Sequence, residues 1–171
     1  LTDLRQAQQA LKESEEMFRT LTEASPVPIH IRQGGQIVYA NPANVGLAGY
    51  SLAELYAMQD PLDLVHPEFR ELTRQRVVDR LSGREVPNRY VIQLITKDDQ
   101  PRWVHQASET ISYRGNPAIL TTFVDITESV LAAQALKRSR ETYRNLIEIA
   151  PFPVVLTSSE ARIIYINQEG Y

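Results

Sequence analysis

The sequence predicts an α+β fold in which an antiparallel sheet is covered on one face by helices. Three observations lead there. Strand-like runs fall into two blocks with short helical segments between them, the pattern of segregated sheet and helix rather than of alternating βαβ units. Two stretches without glycine or proline, Asp3 to Glu23 and about Glu128 to Glu148, bracket these blocks. The chain also matches itself at a shift of 125 positions: Gln9-Ala10-Leu11-Lys12 lies over Gln134-Ala135-Leu136-Lys137, and Ser14, Glu16, Arg19, Leu21, Glu23, Pro26 and Pro28 lie over Ser139, Glu141, Arg144, Leu146, Glu148, Pro151 and Pro153. A one-residue slip then aligns Ile37, Tyr39 and Asn41 with Ile163, Tyr165 and Asn167. So long a period indicates tandem small domains and not a solenoid. The expected organisation is a linker helix over 1–24, a domain over 25–127, a second linker helix over 128–148 and the truncated start of a second domain over 149–171.

In the first helix Leu4, Leu11 and Phe18 recur every seven residues with Leu21 beside them, a narrow apolar seam. It reads as one strand of a dimeric coiled coil or as a lone helix lying on its own domain, and different turns can do each. Pro26 and Pro28 end it. Residues 28–31 and 36–40, joined through Gln33-Gly34-Gly35, form a strand, tight turn and strand. Asn41 before Pro42 offers a capping side chain and a proline suited to the first helical position. Ser51 and Glu54 have capping-box spacing.

His66-Pro67 opens a longer helix, with Phe69, Leu72, Val77 and Leu81 expected on its buried side and Gly83 as its stop. Arginines 70, 74, 76 and 80 are expected on a solvated face rather than in a phosphate site. Three β runs follow, 89–96, 102–113 and 118–124, separated by turns at Lys97 to Pro101 and Arg114 to Pro117. Asp125-Ile126-Thr127 then launches the second long helix.

Composition narrows the function classes. Apolar residues at 43% and charged residues at 23% exclude a collagenous or disordered chain, and a net charge of −3 supplies no global field for nucleic acid. The absence of cysteine removes disulfides, thiolate metal sites and cysteine nucleophiles together, and fits a reducing compartment. No segment approaches the roughly 20 apolar residues of a membrane span. The expectation is a cytoplasmic piece of a longer protein.

Several local strings, taken together, resemble the PAS sensory family. They are Ile37-Val38-Tyr39-Ala40-Asn41-Pro42-Ala43, Gly49-Tyr50-Ser51 with Glu54-Leu55, Leu64-Val65-His66-Pro67, Arg102-Trp103-Val104, Gly115-Asn116-Pro117-Ala118 and Asp125-Ile126-Thr127-Glu128, all in family order. The resemblance covers about residues 15–128, and 139–171 resemble the opening of a second PAS domain. It implies a five-stranded antiparallel sheet in which the first strand pair lies next to the last strand, with the helices cradling a small cavity. It also implies a sensory or relay role in a multidomain bacterial signalling protein with a histidine kinase, diguanylate cyclase or phosphodiesterase output. No signature of those outputs stands in this chain.

Candidate chemistry is sparse. His30, His66 and His105 lie far apart without carboxylates at ligand spacing, so no metal site is expected. Haem-binding relatives carry an axial histidine in the helix after His66-Pro67, and residues 68–81 contain none; cysteine-linked chromophores lack their thiol, and noncovalent flavin is disfavoured. No nucleophile elbow or phosphate loop is present, so catalysis within this chain is not expected.

The residues assigned to a ligand pocket are Tyr90, Ile92, Leu94, Trp103, His105 and Val124. Trp103, His105 and Ala107 share one strand face, and His105 either reaches a ligand or is a satisfied histidine under the N-terminal helix. Asp125 and Thr127, with Arg102 as the expected partner of Asp125, are the candidates for signal relay into the exit helix.

Two roles remain open: a signal-input module that dimerises through its flanking helices and takes a small molecule, and a ligand-free dimerisation spacer with a filled core. Nothing points to nucleic acid or to membrane contact as a partner.

Overall fold

The computed structural model describes residues 2–167, which divide into two compact units, 2–127 and 128–167. The first begins with helix α1, Thr2–Glu23. Leu4, Leu11 and Leu21 remain more than 60% exposed, so these positions of the apolar seam are not covered by the described residues. The last turn does dock: the Phe18 ring lies 5.9 Å from that of Tyr39, and the Tyr39 hydroxyl donates to Thr22 Oγ1 at 2.6 Å.

Strands β1, Ile29–Gln33, and β2, Gln36–Ala40, form a hairpin turned by Gly34 and Gly35 at φ of 59° and 82°. Two successive left-handed residues give the turn a twist that matches the strands, and glycine adopts them without Cβ strain. Short helices α2, Ala43–Ala48, and α3, Leu52–Ala57, follow, then a 3-10 turn at Pro61–Leu64 and the longer α4, Pro67–Leu81. Strands β3, Arg89–Ile95, β4, Pro101–Tyr113, and β5, Asn116–Asp125, complete a sheet of order β2-β1-β5-β4-β3, antiparallel throughout. The α+β class and the five-stranded antiparallel sheet are as expected.

One core gathers Leu47, Leu62, Val65, Ile92, Leu94, Val104 and Phe123 between sheet and helices; another gathers Ile37, Ala40, Ala48, Leu55 and Leu64 under α2 and α3. Fully burying a side chain of this kind contributes roughly 1.5–3 kcal/mol. The capping box at Ser51 forms as expected, Glu54 N donating to Ser51 Oγ at 3.2 Å and Ser51 N to Glu54 Oε2 at 2.9 Å. His66 opens α4, its Nδ1 accepting from Glu68 N, and Gly83 at φ 75° follows the helix end.

Two expectations need correction. Asn41 does not cap α2, whose N-cap is Pro42 without a side-chain bond. The Asn41 amide, with no exposed surface, accepts from Ile29 N and donates to the carbonyls of Thr22 and Val27. Three backbone groups outcompete one helical N–H.

In α4, Leu72 and Leu81 are about half exposed, while Thr73 and Arg80 are buried. The helix turns Phe69, Thr73, Arg76, Val77 and Arg80 inward because it faces a cavity with polar walls.

Helix α5, Thr127–Glu148, starts at the last residue of the first unit, and the second unit carries the rest of it with a hairpin of β6, Val155–Thr157, and β7, Ile163–Ile166. Asn167, also without exposed surface, accepts from Val154 N and donates to the carbonyls of Ile147 and Phe152. The Tyr165 hydroxyl donates to the Glu148 carboxylate.

Candidate functional site

Two features of the first unit have the chemistry of a functional site: a cavity between sheet and helices, and the junction where β5 becomes α5. The cavity leaves about 40 Å³ open to water-sized spheres, room for a few waters or a handful of non-hydrogen atoms. Its apolar wall includes Leu47, Leu55, Leu64, Leu94 and Phe123.

The polar wall comes from both layers. β1 supplies His30 and Arg32, two residues apart and hence on one face. α4 supplies Thr73, Arg76 and Arg80, spaced three and four apart so that they stack along one helical stripe. Across the sheet, Gln106 Nε2 donates to the Tyr90 hydroxyl at 2.9 Å and to Ser108 Oγ at 2.8 Å, and Ser108 Oγ lies 3.2 Å from Thr121 Oγ1. Arg76 stacks its guanidinium 4.0 Å over the Tyr90 ring. Arg80 donates to Asn88 Oδ1 at 2.6 Å and to the Pro87 carbonyl at 2.7 Å.

His30 packs its ring edge against Phe123 at 5.1 Å. Burial, with the neighbouring Arg32 cation adding to it, lowers its pKa to about 3, so the imidazole is neutral at ordinary pH. Burial likewise lowers the pKa of Arg32, though nearby Asp60 and Tyr90 oppose this.

Of the six residues assigned to a pocket, Tyr90 and Leu94 line the cavity. Ile92 shares their face but is packed into the core at 1% exposure. Trp103, His105 and Val124 lie elsewhere: strand parity puts Val104, Gln106 and Phe123 on the inner face, so residues one position removed look outward. His105 and Val124 are exposed, and Trp103 packs edge-on against Phe69 at 5.9 Å. The expectation of a solvated arginine face is also corrected for Arg76 and Arg80, whereas Arg70 and Arg74 do sit near the surface with Asp63, Asp60 and Glu71. The sequence reading weighs His30 only as a metal ligand and assigns none of Arg32, Thr73, Gln106, Ser108 and Thr121 to the pocket. The i, i+3, i+7 spacing of Thr73, Arg76 and Arg80 was the signal available for α4.

At the junction, Arg102 Nη1 donates to Asp125 Oδ2 at 2.9 Å, while Asp125 Oδ1 accepts from Thr127 N at 2.9 Å. Thr127 Oγ1 accepts from Trp103 N, and Ile126 N donates to the Trp103 carbonyl, both at 2.9 Å. Partial burial pushes the Asp125 carboxyl up, but the Thr127 bonds and Arg102 outweigh it and hold the group below its usual value. The start of α5 is thus tied at several points to β4.

Among the described residues no cluster of histidine, aspartate and glutamate could hold a metal ion, and no helix is long and apolar enough to cross a membrane.

An antiparallel sheet of order β2-β1-β5-β4-β3 with helices over one face defines the PAS fold class. A family model described as PAS fold matches residues 37–124, and a second, described as PAS domain, matches residues 141–171. The chain belongs to the PAS family.

Among curated proteins it is 24% identical over 156 residues to sporulation kinase A of Bacillus subtilis, covering 90% of this chain and 25% of that protein. It is 27% identical over 158 residues to the two-component sensor PprA of Pseudomonas aeruginosa, covering 88% of this chain and 17% of that one. The chain therefore spans a quarter or less of these relatives. A solved PAS domain of an HTR-like protein from Haloarcula marismortui superposes with a TM-score of 0.58 at 19% identity, covering 71% of this chain and 99% of that one.

Proposed function

We propose that this chain is a sensory and signal-relay module of a larger bacterial signalling protein of the sensor-kinase type, in which occupancy of the cavity sets the pose of α5. The observation that carries this reading is the continuity of β5. Thr121 and Phe123 line the cavity, and two residues further on Asp125 holds Arg102 and the first turn of α5. A ligand that shifts β5 acts on the helix through the same backbone. Similarity over most of this chain to a sporulation kinase and a two-component sensor supports the setting, and catalysis belongs outside this module.

The module is proposed to be cytoplasmic and to dimerise through its flanking helices. Exposed Leu4, Leu11, Leu131 and Leu136 support the dimer. Neither haem nor flavin is proposed as cofactor, given the small cavity and its neutral, packed His30. Buried polar atoms without partners in the cavity wall favour a ligand over a filled spacer.

The chain has no cysteine, so paired spin labels can be introduced cleanly at Glu109 and Ser139. The label distance should be narrowly distributed in the parent chain and broadened by Asp125→Ala. A distribution that Asp125→Ala leaves unchanged overturns the relay. Sedimentation should show a dimer that Leu11→Asp with Leu136→Asp dissociates; a monomeric parent overturns the dimer.

A further inference from the structure

Among the described residues, the charged side chains that line the cavity are all cationic. Arg32, Arg76 and Arg80 line it, and no aspartate or glutamate does. The nearby carboxylate acting on Arg32, that of Asp60, accepts from Leu62 N at 2.9 Å and pairs with Arg74 at 3.7 Å. His30, the other titratable base in the wall, is neutral. Arg76 is held over Tyr90, and Arg80 is engaged by Asn88 and Pro87.

Two buried polar atoms in this wall find no partner among the described residues: Arg32 Nε and Thr73 Oγ1. Thr73 is only 3% exposed. Burying a donor without an acceptor is destabilising, and proteins rarely retain such groups without a use for them. They stand on opposite layers, β1 and α4, so a molecule between them can meet both. The lining also includes apolar Leu47, Leu94 and Phe123.

We infer that the cavity binds a small monocarboxylate with a short apolar tail, its carboxylate accepting from Arg32 and Thr73 and its tail lying against Leu47, Leu94 and Phe123. This rests on the reading that the cavity takes a ligand, and narrows it to one chemistry. An ionised acceptor suits a guanidinium N–H and a hydroxyl better than a neutral one does, because charge-assisted bonds are roughly twice as strong. The limited space excludes larger acids.

The test is calorimetric titration and thermal melting of the full chain with butyrate, its neutral analogue butyramide, and inorganic phosphate. Butyrate should bind and raise the melting temperature, and butyramide and phosphate should not. Arg32→Met and Thr73→Val should each weaken butyrate binding about tenfold or more, the equivalent of losing a charge-assisted bond. Both should leave the ligand-free melting temperature unchanged or higher, since each removes an unpartnered buried group; Arg89→Ala, on the exposed edge, should bind as the parent does.

Equal binding of butyramide overturns the anion assignment while leaving the cavity a ligand site. Phosphate binding in preference to butyrate overturns the apolar tail. No binding at all, with waters filling the space, overturns the inference, and the spin-label distances then decide separately whether the relay survives. Butyrate binding that persists in both cavity variants overturns the site.

Discussion

Asn41 donates a 2.9 Å hydrogen bond to the carbonyl of Thr22, tying the end of the first hairpin to the last turn of the N-terminal helix. The same amide accepts from Ile29 N at 2.8 Å. One repeat later, Asn167 donates to Ile147 at 2.9 Å and accepts from Val154 N at 2.8 Å. Both asparagines have no exposed surface. The internal sequence match is therefore a match of structure: in each unit a buried amide straps strand to preceding helix.

Asn41→Ala should lower the unfolding free energy by about 2–4 kcal/mol, because backbone groups of Ile29, Thr22 and Val27 lose a buried partner at once. Asn41→Asp should be nearly as damaging, since a carboxylate cannot donate to the two carbonyls. Urea denaturation measures both. A loss below about 1 kcal/mol for either would mean that water replaces the strap.

Asp125→Ala should cost about 1–2 kcal/mol, reflecting a lost N-terminal helix bond and a half-exposed ion pair of small worth. Arg102→Ala should cost less, since Asp125 keeps Thr127 N. Equal losses in the two variants would show that the ion pair, and not the bond to the helix, dominates.

His30 predicts a pH dependence. Its folded-state pKa, about 3, lies below the ordinary histidine value of 6.5, so the unfolded chain binds more protons between these values. Its contribution is fully present above pH 6.5 and is lost as pH falls toward 3, at up to about 1.4 kcal/mol per pH unit. Asp125, also depressed, adds in the same direction at the acid end. His30→Phe should flatten the stability profile between pH 6.5 and 4, as read by chemical denaturation. A profile as steep as the parent's would place the titrating group elsewhere.

Leu55→Ala should cost about 2–5 kcal/mol, as expected for a large side chain removed from a packed site. Leu72→Gln, on the outward face of α4, should stay within about 0.5 kcal/mol of the parent. Comparable losses would show that α4 presents Leu72 to a partner within the folded chain. Thermal melts of the two variants suffice.

Much of this protein was legible in one dimension. The Gly34-Gly35 turn, the Ser51 capping box, the helix start at His66-Pro67 and the 125-residue repeat are local chemistry, decided by residues within a few positions of one another or by direct self-comparison. Family resemblance added the placement of β1 against β5, some 90 residues away in sequence. The Arg102 to Asp125 pair was inferred from adjacency to the same junction and stands at 2.9 Å.

Which face of β4 and α4 lines the cavity was decided only in three dimensions. Along β4 both alternating sets, Trp103 with His105 and Val104 with Gln106, mix apolar and polar side chains, so period alone assigns neither face. On α4 the usual rule runs backwards: Leu72, Val78 and Leu81 face out, while Thr73 and Arg80 are buried. Hydrophobic patterning presumes that the interior is apolar. A polar cavity violates that premise, and only the tertiary structure shows that Arg32, Arg76 and Arg80 come together on its wall.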